Sequence, residues 1–252
     1  MHHIWKLILI GSILLNLIAI WGFFHYIKYG GSPLGELKRK LTGSTKQVTP
    51  KIPYLDDNNR IIAKIADGEE DSIRIVFFGA SITRRWDFEK YFPNINLVNR
   101  GVGGQLVPSM MARYKRDVID LQPKAVIIKF CSINIRPHMP LSVLQDDMMM
   151  MVQLAQANQI IPIVSTIIPS GKPEATIGDF SVVGTLNQFN DWVRQYAAEN
   201  TLDMIDFAKA IGDEKGFLPR DCSVDPVHVN DKGYLILTEA AQPVIDKVLG
   251  LK

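Results

Sequence analysis

The sequence has little cysteine and no excess of charge of either sign. Its 252 residues include two cysteines and five histidines, and its formal net charge is +2. Two cysteines are too few for a disulfide framework and match no zinc-site spacing, and the histidines form no cluster of metal ligands. The absence of a basic stripe argues against a nucleic-acid partner. Repeats and low-complexity segments are also absent, so composition indicates one globular domain with an appendage.

Long apolar runs are missing except near the N-terminus. Residues 7–24 (LILIGSILLNLIAIWGFF) carry no charged side chain and just reach the length of a spanning helix. Aromatic residues, which favour the membrane interface, stand near both ends: Trp5, Trp21, Tyr26 and Tyr29. We therefore predict a transmembrane anchor over residues 1–28. A cleaved signal peptide and a buried core helix are the alternatives, but no small-x-small cleavage site follows the run.

Two features bear on the orientation of this anchor. Lys6 precedes the apolar run and several basic residues follow it, so the positive-inside rule would place the globular part in the cytoplasm. A short N-terminal tail followed by one apolar segment is, however, the usual form of an export signal-anchor. The second feature favours an extracytoplasmic domain, which is our prediction.

Beyond the anchor, residues 29–72 are predicted to be a tether and lead-in segment, with a short helix near 56–66. From residue 73 to residue 252 short apolar runs alternate with helical patterns. The runs are 73–79, 95–99, 124–130, 160–167 and 202–205, and the helical patterns are about 107–121, 142–157, 182–199 and 231–248. Such runs suit strands buried on both faces, although Pro162 weakens the fourth. The alternation predicts a three-layer α/β/α sandwich with about five parallel strands.

Polar residues follow the predicted strands at the edge where open parallel sheets bind ligands. Ser81 follows the first strand, a glycine-rich segment at 101–104 the second and Asn134 the third, while Asp225 and His228 precede the last helix. Each feature alone has an ordinary explanation, such as a helix N-cap, a turn or an Asx turn. A dinucleotide fingerprint fails because leucine occupies the position of its third glycine.

The order of these motifs resembles that of the SGNH hydrolases, a GDSL-like lipase and acylhydrolase family. The matching motifs are GASIT at 79–83, NRGVGG at 99–104, SIN at 132–134, and DPVH at 225–228 followed by N-x-x-G-Y at 230–234. The resemblance covers about residues 73–250 and implies a flavodoxin-like α/β/α sandwich. Three positions depart from the family pattern: Ala80 replaces Asp, Ser132 replaces Gly and Ile135 replaces Asp.

The resemblance also implies a role for each site residue. Ser81 would be the nucleophile, His228 its general base, and Asp225 the carboxylate that orients the imidazole. The backbone N–H groups of Ser81 and Gly104 and the side-chain amide of Asn134 would form the oxyanion hole. This chemistry requires no metal and no organic cofactor.

We therefore predict a serine hydrolase that cleaves an acyl or acetyl ester of a small molecule, or of a cell-envelope glycan or lipid. An O-acyltransferase on the same fold and a catalytically silent binding module are the alternatives. The presence of Ser81, Asn134, Asp225 and His228 together argues against the silent module.

Cys131 and Cys222 each lie three positions before a site residue. A disulfide between them is feasible in an exported domain, but two buried free thiols are the favoured prediction.

Overall fold

The computed structural model describes residues 52–68, 74–171, 176–177 and 180–251. Residues Ile52–Lys252 form one compact unit. The predicted anchor and residues 29–51 and 69–72 of the predicted tether and lead-in segment lie outside the described residues. Among the helices of the described part, none combines the length and the hydropathy that crossing a membrane requires.

Strands and helices alternate along this unit as the sequence predicts. The strands are β1 (Ile75–Gly79), β2 (Leu97–Gly101), β3 (Ala125–Lys129), β4 (Ile161–Ser165), β5 (Thr176–Ile177), β6 (Phe180–Ser181) and β7 (Asp203–Ile205). The α-helices are α1 (Leu55–Ala66), α2 (Ser81–Arg85), α3 (Phe88–Tyr91), α4 (Val107–Asp117), α5 (Leu141–Ala157), α6 (Val182–Glu199), α7 (Phe207–Ile211) and α8 (Asp231–Leu249). Short 3-10 helices cover Ile119–Leu121, Ser132–Asn134 and Arg220–Cys222.

Five of the strands form one parallel sheet in the order β2-β1-β3-β4-β7. This confirms the predicted five-stranded parallel sheet, and the order is that of flavodoxin-like folds. The strand order reverses beside β1, where Gly79 pairs with both Gly101 of β2 and Lys129 of β3. The carboxyl ends of three strands therefore meet at one place on the sheet edge.

Pro162 lies inside this sheet without breaking it. It pairs with Val126 of β3, whereas the ladder between β4 and β7 begins only at Ile163. The N–H group that proline lacks is therefore not needed on the β7 side at that position.

The core consists of two clusters on opposite faces of the sheet, because successive strand residues point to opposite sides. Val76 and Phe78 join one cluster with side chains of α4, α5 and α6. Ile75 and Phe77 join the other with side chains of α2, α7 and α8. Every residue of β1 and β3 is buried, as predicted for strands covered on both faces.

Helix α1 is anchored to the carboxyl end of β2. The Tyr54 hydroxyl, just before the helix, donates to the carbonyl oxygen of Gly101 at 2.5 Å. Asn58 is fully buried, where it accepts a hydrogen bond from Arg100 Nε at 2.8 Å and donates one to Asp117 at 2.7 Å. Tyr54 and Asn58 thus attach the start of α1 to the sheet edge that carries the predicted site.

Candidate active site

The backbone at the end of β1 presents Ser81 at the sheet edge. β1 ends at Gly79, and Ser81 is the first residue of the five-residue helix α2. An added Cβ at Gly79 would lie 2.2 Å from Thr83 Oγ1, and one at Gly101 would lie 2.1 Å from the Arg84 backbone nitrogen. Glycine at these two positions therefore lets α2 pack closely against the ends of β1 and β2.

Ser81, His228 and Asp225 form one hydrogen-bonded chain. The Nε2 atom of His228 lies 3.0 Å from Ser81 Oγ, and its Nδ1 atom lies 2.8 Å from Asp225 Oδ2. The other carboxylate oxygen of Asp225 accepts the backbone N–H groups of Val227 and His228, each at 2.9 Å. The loop thus fixes the carboxylate from its own backbone, and the carboxylate in turn orients the imidazole.

The Asp225 carboxylate is held in its charged form. Although desolvation raises the pKa of this group, hydrogen bonds from the Val227 backbone and from His228 outweigh it, so the pKa lies below the usual aspartate value. The side chain of Asp225 is 43% exposed and that of His228 is 19% exposed. A charged Asp225 accepts the proton on His228 Nδ1, which leaves Nε2 to accept the Ser81 hydroxyl proton.

The two other predicted oxyanion residues occupy different positions. Gly104 is exposed at the cavity, in the left-handed region with φ of 72°, where a glycine avoids the strain of a side chain. Asn134 is fully buried. Its Oδ1 atom accepts from Val107 N at 2.8 Å, and one hydrogen of Nδ2 bonds the Cys131 carbonyl at 3.1 Å. The Nδ2 group carries a second hydrogen besides the one that bonds Cys131.

A cavity of about 930 Å³ opens over the hydrogen-bonded chain. It is lined by Ser81, Ile82, Arg84, Arg85, Gly103, Gly104, Cys131, Ser132, Ile133, Ser170, Val182, Asp225, Pro226, Val227 and His228. Four of the five predicted site residues thus line one space. Asn134 does not line it, but the three residues before Asn134 in the chain do.

Arg113 is a residue of this region that the sequence did not single out. Its guanidinium donates to the carbonyl oxygens of Gly79 and Arg100, at 2.9 and 3.0 Å, and to Gln105 Oε1 at 2.5 Å. It also pairs with Asp117 at 2.9 Å. Burial lowers the pKa of Arg113, and the Asp117 carboxylate opposes that effect. Arg113 therefore ties the strand end before Ser81 to the glycine-rich loop, although in the sequence it is only a charged position on a helix.

Two further side chains brace α2. Asn99 Nδ2 donates to the Thr83 carbonyl at 2.7 Å, and its Oδ1 accepts from the Gly101 N–H at 2.9 Å. The Tyr234 hydroxyl donates to the Ile82 carbonyl at 2.9 Å. Both residues belong to motifs quoted above, and the structure shows that they position the helix on which Ser81 lies.

The cysteines are free and buried, in agreement with the favoured prediction. Cys131 contributes to the cavity wall, and Cys222 packs in the core cluster on the α8 side. In the described part of the chain, no group of three or more His, Cys, Asp or Glu side chains is arranged to hold a metal ion.

The sequence matches the model of the GDSL-like Lipase/Acylhydrolase family over residues 65–236. The chain belongs to this family. The family hydrolyses ester bonds, and Ser81, Gly104, Asp225 and His228 line one cavity of this chain. No significant match was found among curated proteins.

Solved structures of GDSL-like proteins share the fold. A candidate acylhydrolase from Bacteroides fragilis aligns with a TM-score of 0.68 and 24% identity, over 78% of this chain and 96% of that one. A GDSL-like lipase from Bacteroides thetaiotaomicron aligns with a TM-score of 0.65 and 22% identity, over 76% and 98%. An acetyl xylan esterase aligns with a TM-score of 0.57 and 20% identity, over 68% and 99%. The described part of the chain therefore covers nearly the whole of each of these proteins.

Proposed function

We propose that the protein hydrolyses a carboxylic ester through an acyl-enzyme on Ser81. The observation that carries the proposal is the continuous hydrogen-bonded chain from Asp225 through His228 to Ser81. A serine hydroxyl is a weak nucleophile at neutral pH, and an adjacent base that is held in orientation by a third group activates it. The family membership supports the same reaction class.

In the acylation step, Ser81 Oγ attacks the ester carbonyl while His228 Nε2 takes the hydroxyl proton. The charged Asp225 stabilises the imidazolium that forms. His228 then returns the proton to the alkoxide leaving group, which departs as the alcohol. In deacylation, a water molecule loses a proton to His228 and attacks the acyl carbonyl. His228 then returns that proton to Ser81 Oγ as the bond to the acyl group breaks and the carboxylic acid leaves.

The oxyanion that develops in both steps would be stabilised by three donors. Ser81 is the first residue of α2, and the first N–H groups of a helix have no intrahelical acceptor. The Gly104 N–H would be the second donor and the free hydrogen of Asn134 Nδ2 the third. Losing one such donor typically costs about 2.7–4 kcal/mol of transition-state stabilisation.

The substrate and the cellular location are also part of the proposal. We propose an acyl or acetyl ester of a small molecule, or of a cell-envelope glycan or lipid, reached by an extracytoplasmic domain tethered through residues 1–28. The apolar run at 7–24 is the feature that supports the membrane location.

A fluorophosphonate probe tests the activated serine directly. The full-length protein should be labelled covalently, and the labelled peptide should contain Ser81. Ser132 is a matched control because it lines the same cavity, so Ser132→Ala should still be labelled whereas Ser81→Ala should not. Hydrolysis of a simple chromogenic ester without any added acceptor separates a hydrolase from an acyltransferase. Absence of labelling together with absence of hydrolysis would overturn the proposal.

A further inference from the structure

Two arginines stand on the same side of α2 as the nucleophile. Arg84 and Arg85 follow Ser81 by three and four positions, and residues with these spacings are neighbours on a helix surface. Both are exposed, and both line the cavity above Ser81. Their guanidinium groups therefore border the space in which the ester must lie.

The position of Arg84 can be given relative to the nucleophile. A Cβ atom added at Gly103 would lie 3.4 Å from Arg84 Nη1 and 4.0 Å from Ser81 Cβ. The guanidinium and the nucleophilic side chain thus flank the same small space above the glycine-rich loop. A substrate group within that space would contact both.

The positive charge of the pair is not neutralised within the described part of the cavity. Asp225 is the acidic residue among the lining residues, and it is already engaged by His228 and by two backbone N–H groups. Among the described residues, neither the Arg84 side chain nor the Arg85 side chain makes an ion pair or a hydrogen bond. By contrast, Arg100, Arg113 and Arg194 are each paired with a carboxylate.

The remainder of the cavity wall is mostly apolar. Ile133, Val182, Pro226 and Val227 contribute to it, and Val227 is 40% exposed. A cavity that combines apolar walls with a cationic border, unpaired among the described residues, is complementary to a ligand that carries both an anionic and an apolar part. The planar guanidinium fork matches the geometry of carboxylate and phosphate oxygens.

From this geometry we infer that Arg84 and Arg85 form an anion-binding subsite, and that the substrate is an ester bearing a carboxylate or phosphate close to the scissile bond. This inference rests on the proposed ester hydrolysis and narrows its substrate class. In it, Arg84 and Arg85 are specificity residues, which bind the substrate without taking part in proton transfer.

Matched esters and matched variants test the subsite. We would measure kcat/KM of the full-length protein for 4-acetoxybenzoate and its neutral isostere 4-acetoxybenzamide, and for 4-acetoxyphenyl phosphate. A second pair tests an anion on the acyl side of the ester. It consists of the 4-nitrophenyl monoester of glutaric acid, which carries a carboxylate on its acyl chain, and the neutral 4-nitrophenyl valerate. Because each ester is compared across variants, differences in leaving-group reactivity cancel.

Arg84→Gln and Arg85→Gln should each lower kcat/KM for the anionic esters about tenfold, as expected for the loss of one charge-assisted hydrogen bond. The neutral esters should lose much less, because they carry no anion for the guanidinium groups to bind, so the measured quantity is the ratio of anionic to neutral kcat/KM. Arg60→Gln on α1 is the control, because it removes an exposed positive charge that is outside the cavity. Comparison of the carboxylate with the phosphate shows which anion the subsite prefers.

The possible failures are distinguishable. If the neutral esters are hydrolysed and neither arginine variant lowers the anionic rates in either pair, the subsite is refuted and the ester hydrolase is retained. If no ester is hydrolysed and the fluorophosphonate probe does not label Ser81, the proposed function itself fails. Melting temperatures of the variants should match the wild type, since both side chains are exposed.

Discussion

His228 Nε2 lies 3.0 Å from Ser81 Oγ although the two residues are 147 positions apart in the chain. Ser81 is the first residue of α2, just after the first strand, and His228 lies on the loop before the last helix. The sheet and α8 hold these two segments together, and Tyr234 of α8 donates directly to the carbonyl oxygen of Ile82 beside the nucleophile. The relationship can be tested through its kinetic consequences.

Removal of the nucleophile or of the base should abolish most of the activity without an additive effect. We expect Ser81→Ala and His228→Ala each to lower kcat by several orders of magnitude, and the double variant to lose scarcely more, because the two groups act as a unit. Asp225→Asn should cost somewhat less, since an imidazole that is poorly oriented still acts at times. Both kcat on one chromogenic ester and the melting temperature should be measured. A folded Ser81→Ala variant with near-wild-type turnover would contradict the proposed mechanism.

Asn134→Ala should affect both catalysis and stability. Loss of an oxyanion donor should lower kcat by roughly 10²–10³. The same change removes buried hydrogen bonds to Val107 N and the Cys131 carbonyl, which should cost about 1–3 kcal/mol of unfolding free energy. Urea unfolding together with kcat separates the two effects. If stability falls and kcat of the folded fraction does not, Asn134 has only a structural role.

Lys129→Met should stabilise the protein at neutral pH. Lys129 is fully buried, and among the described residues its Nζ atom has no hydrogen-bond partner, although it lies 5.5 Å from the centroid of the Phe207 ring. Burial lowers the pKa of this amine below its ordinary value of 10.5. Methionine has a similar shape and no charge, so the gain should be about 1–3 kcal/mol.

The stability gain of Lys129→Met should decrease as the pH rises. Between the folded-state pKa of Lys129 and 10.5, the unfolded chain binds a proton that the native protein lacks, so wild-type stability rises with pH in that window. The advantage of Lys129→Met should therefore shrink as the pH approaches 10.5. Lys64→Met, at an exposed position of α1, should show no such trend. An advantage of Lys129→Met that does not change with pH would contradict the explanation.

Asn58→Ala should destabilise the protein more than its small change in volume suggests. The side chain bridges Arg100 and Asp117, so its loss leaves two buried charged groups with fewer partners. We expect a loss of about 1–3 kcal/mol, measured by urea unfolding. Asn187→Ala, at an exposed position of α6, is the control and should change stability little. Equal effects of the two substitutions would mean that the bridge contributes nothing.

The full-length protein should fractionate with membranes and keep its N-terminus, because the apolar run at 7–24 has no cleavage site after it. Intact-mass measurement after fractionation checks both points, and deletion of residues 1–28 should release the protein to the soluble fraction. A new N-terminus near residues 31–34 would show that the segment is a cleaved signal. A reporter fused to the C-terminus would establish the side of the membrane.

The sequence was sufficient to predict the sheet, because buried strands leave local patterns, and four of the residues chosen from its motifs line one cavity in the fold. It was insufficient for α2 and α3, which are too short to show a helical period. The Arg113 contacts with the carbonyl oxygens of Gly79 and Arg100 were also missed, since nothing in a helical stretch indicates which charged residue turns inward. Asn134 was predicted to donate to the oxyanion, whereas its full burial and its hydrogen bond from Val107 N depend on the fold and could not be predicted from the sequence.

The docking of α1 on β2 has a consequence for where the folding unit begins. The family match starts at residue 65, whereas Tyr54 and Asn58 already supply hydrogen bonds to Gly101, Arg100 and Asp117. A fragment that begins at residue 65 would leave the buried Arg100 and Asp117 without their Asn58 partner, and would expose the Gly101 carbonyl to water. The compact unit begins at Ile52, upstream of the family match, and Tyr54 and Asn58 belong to it although neither takes part in the proposed chemistry.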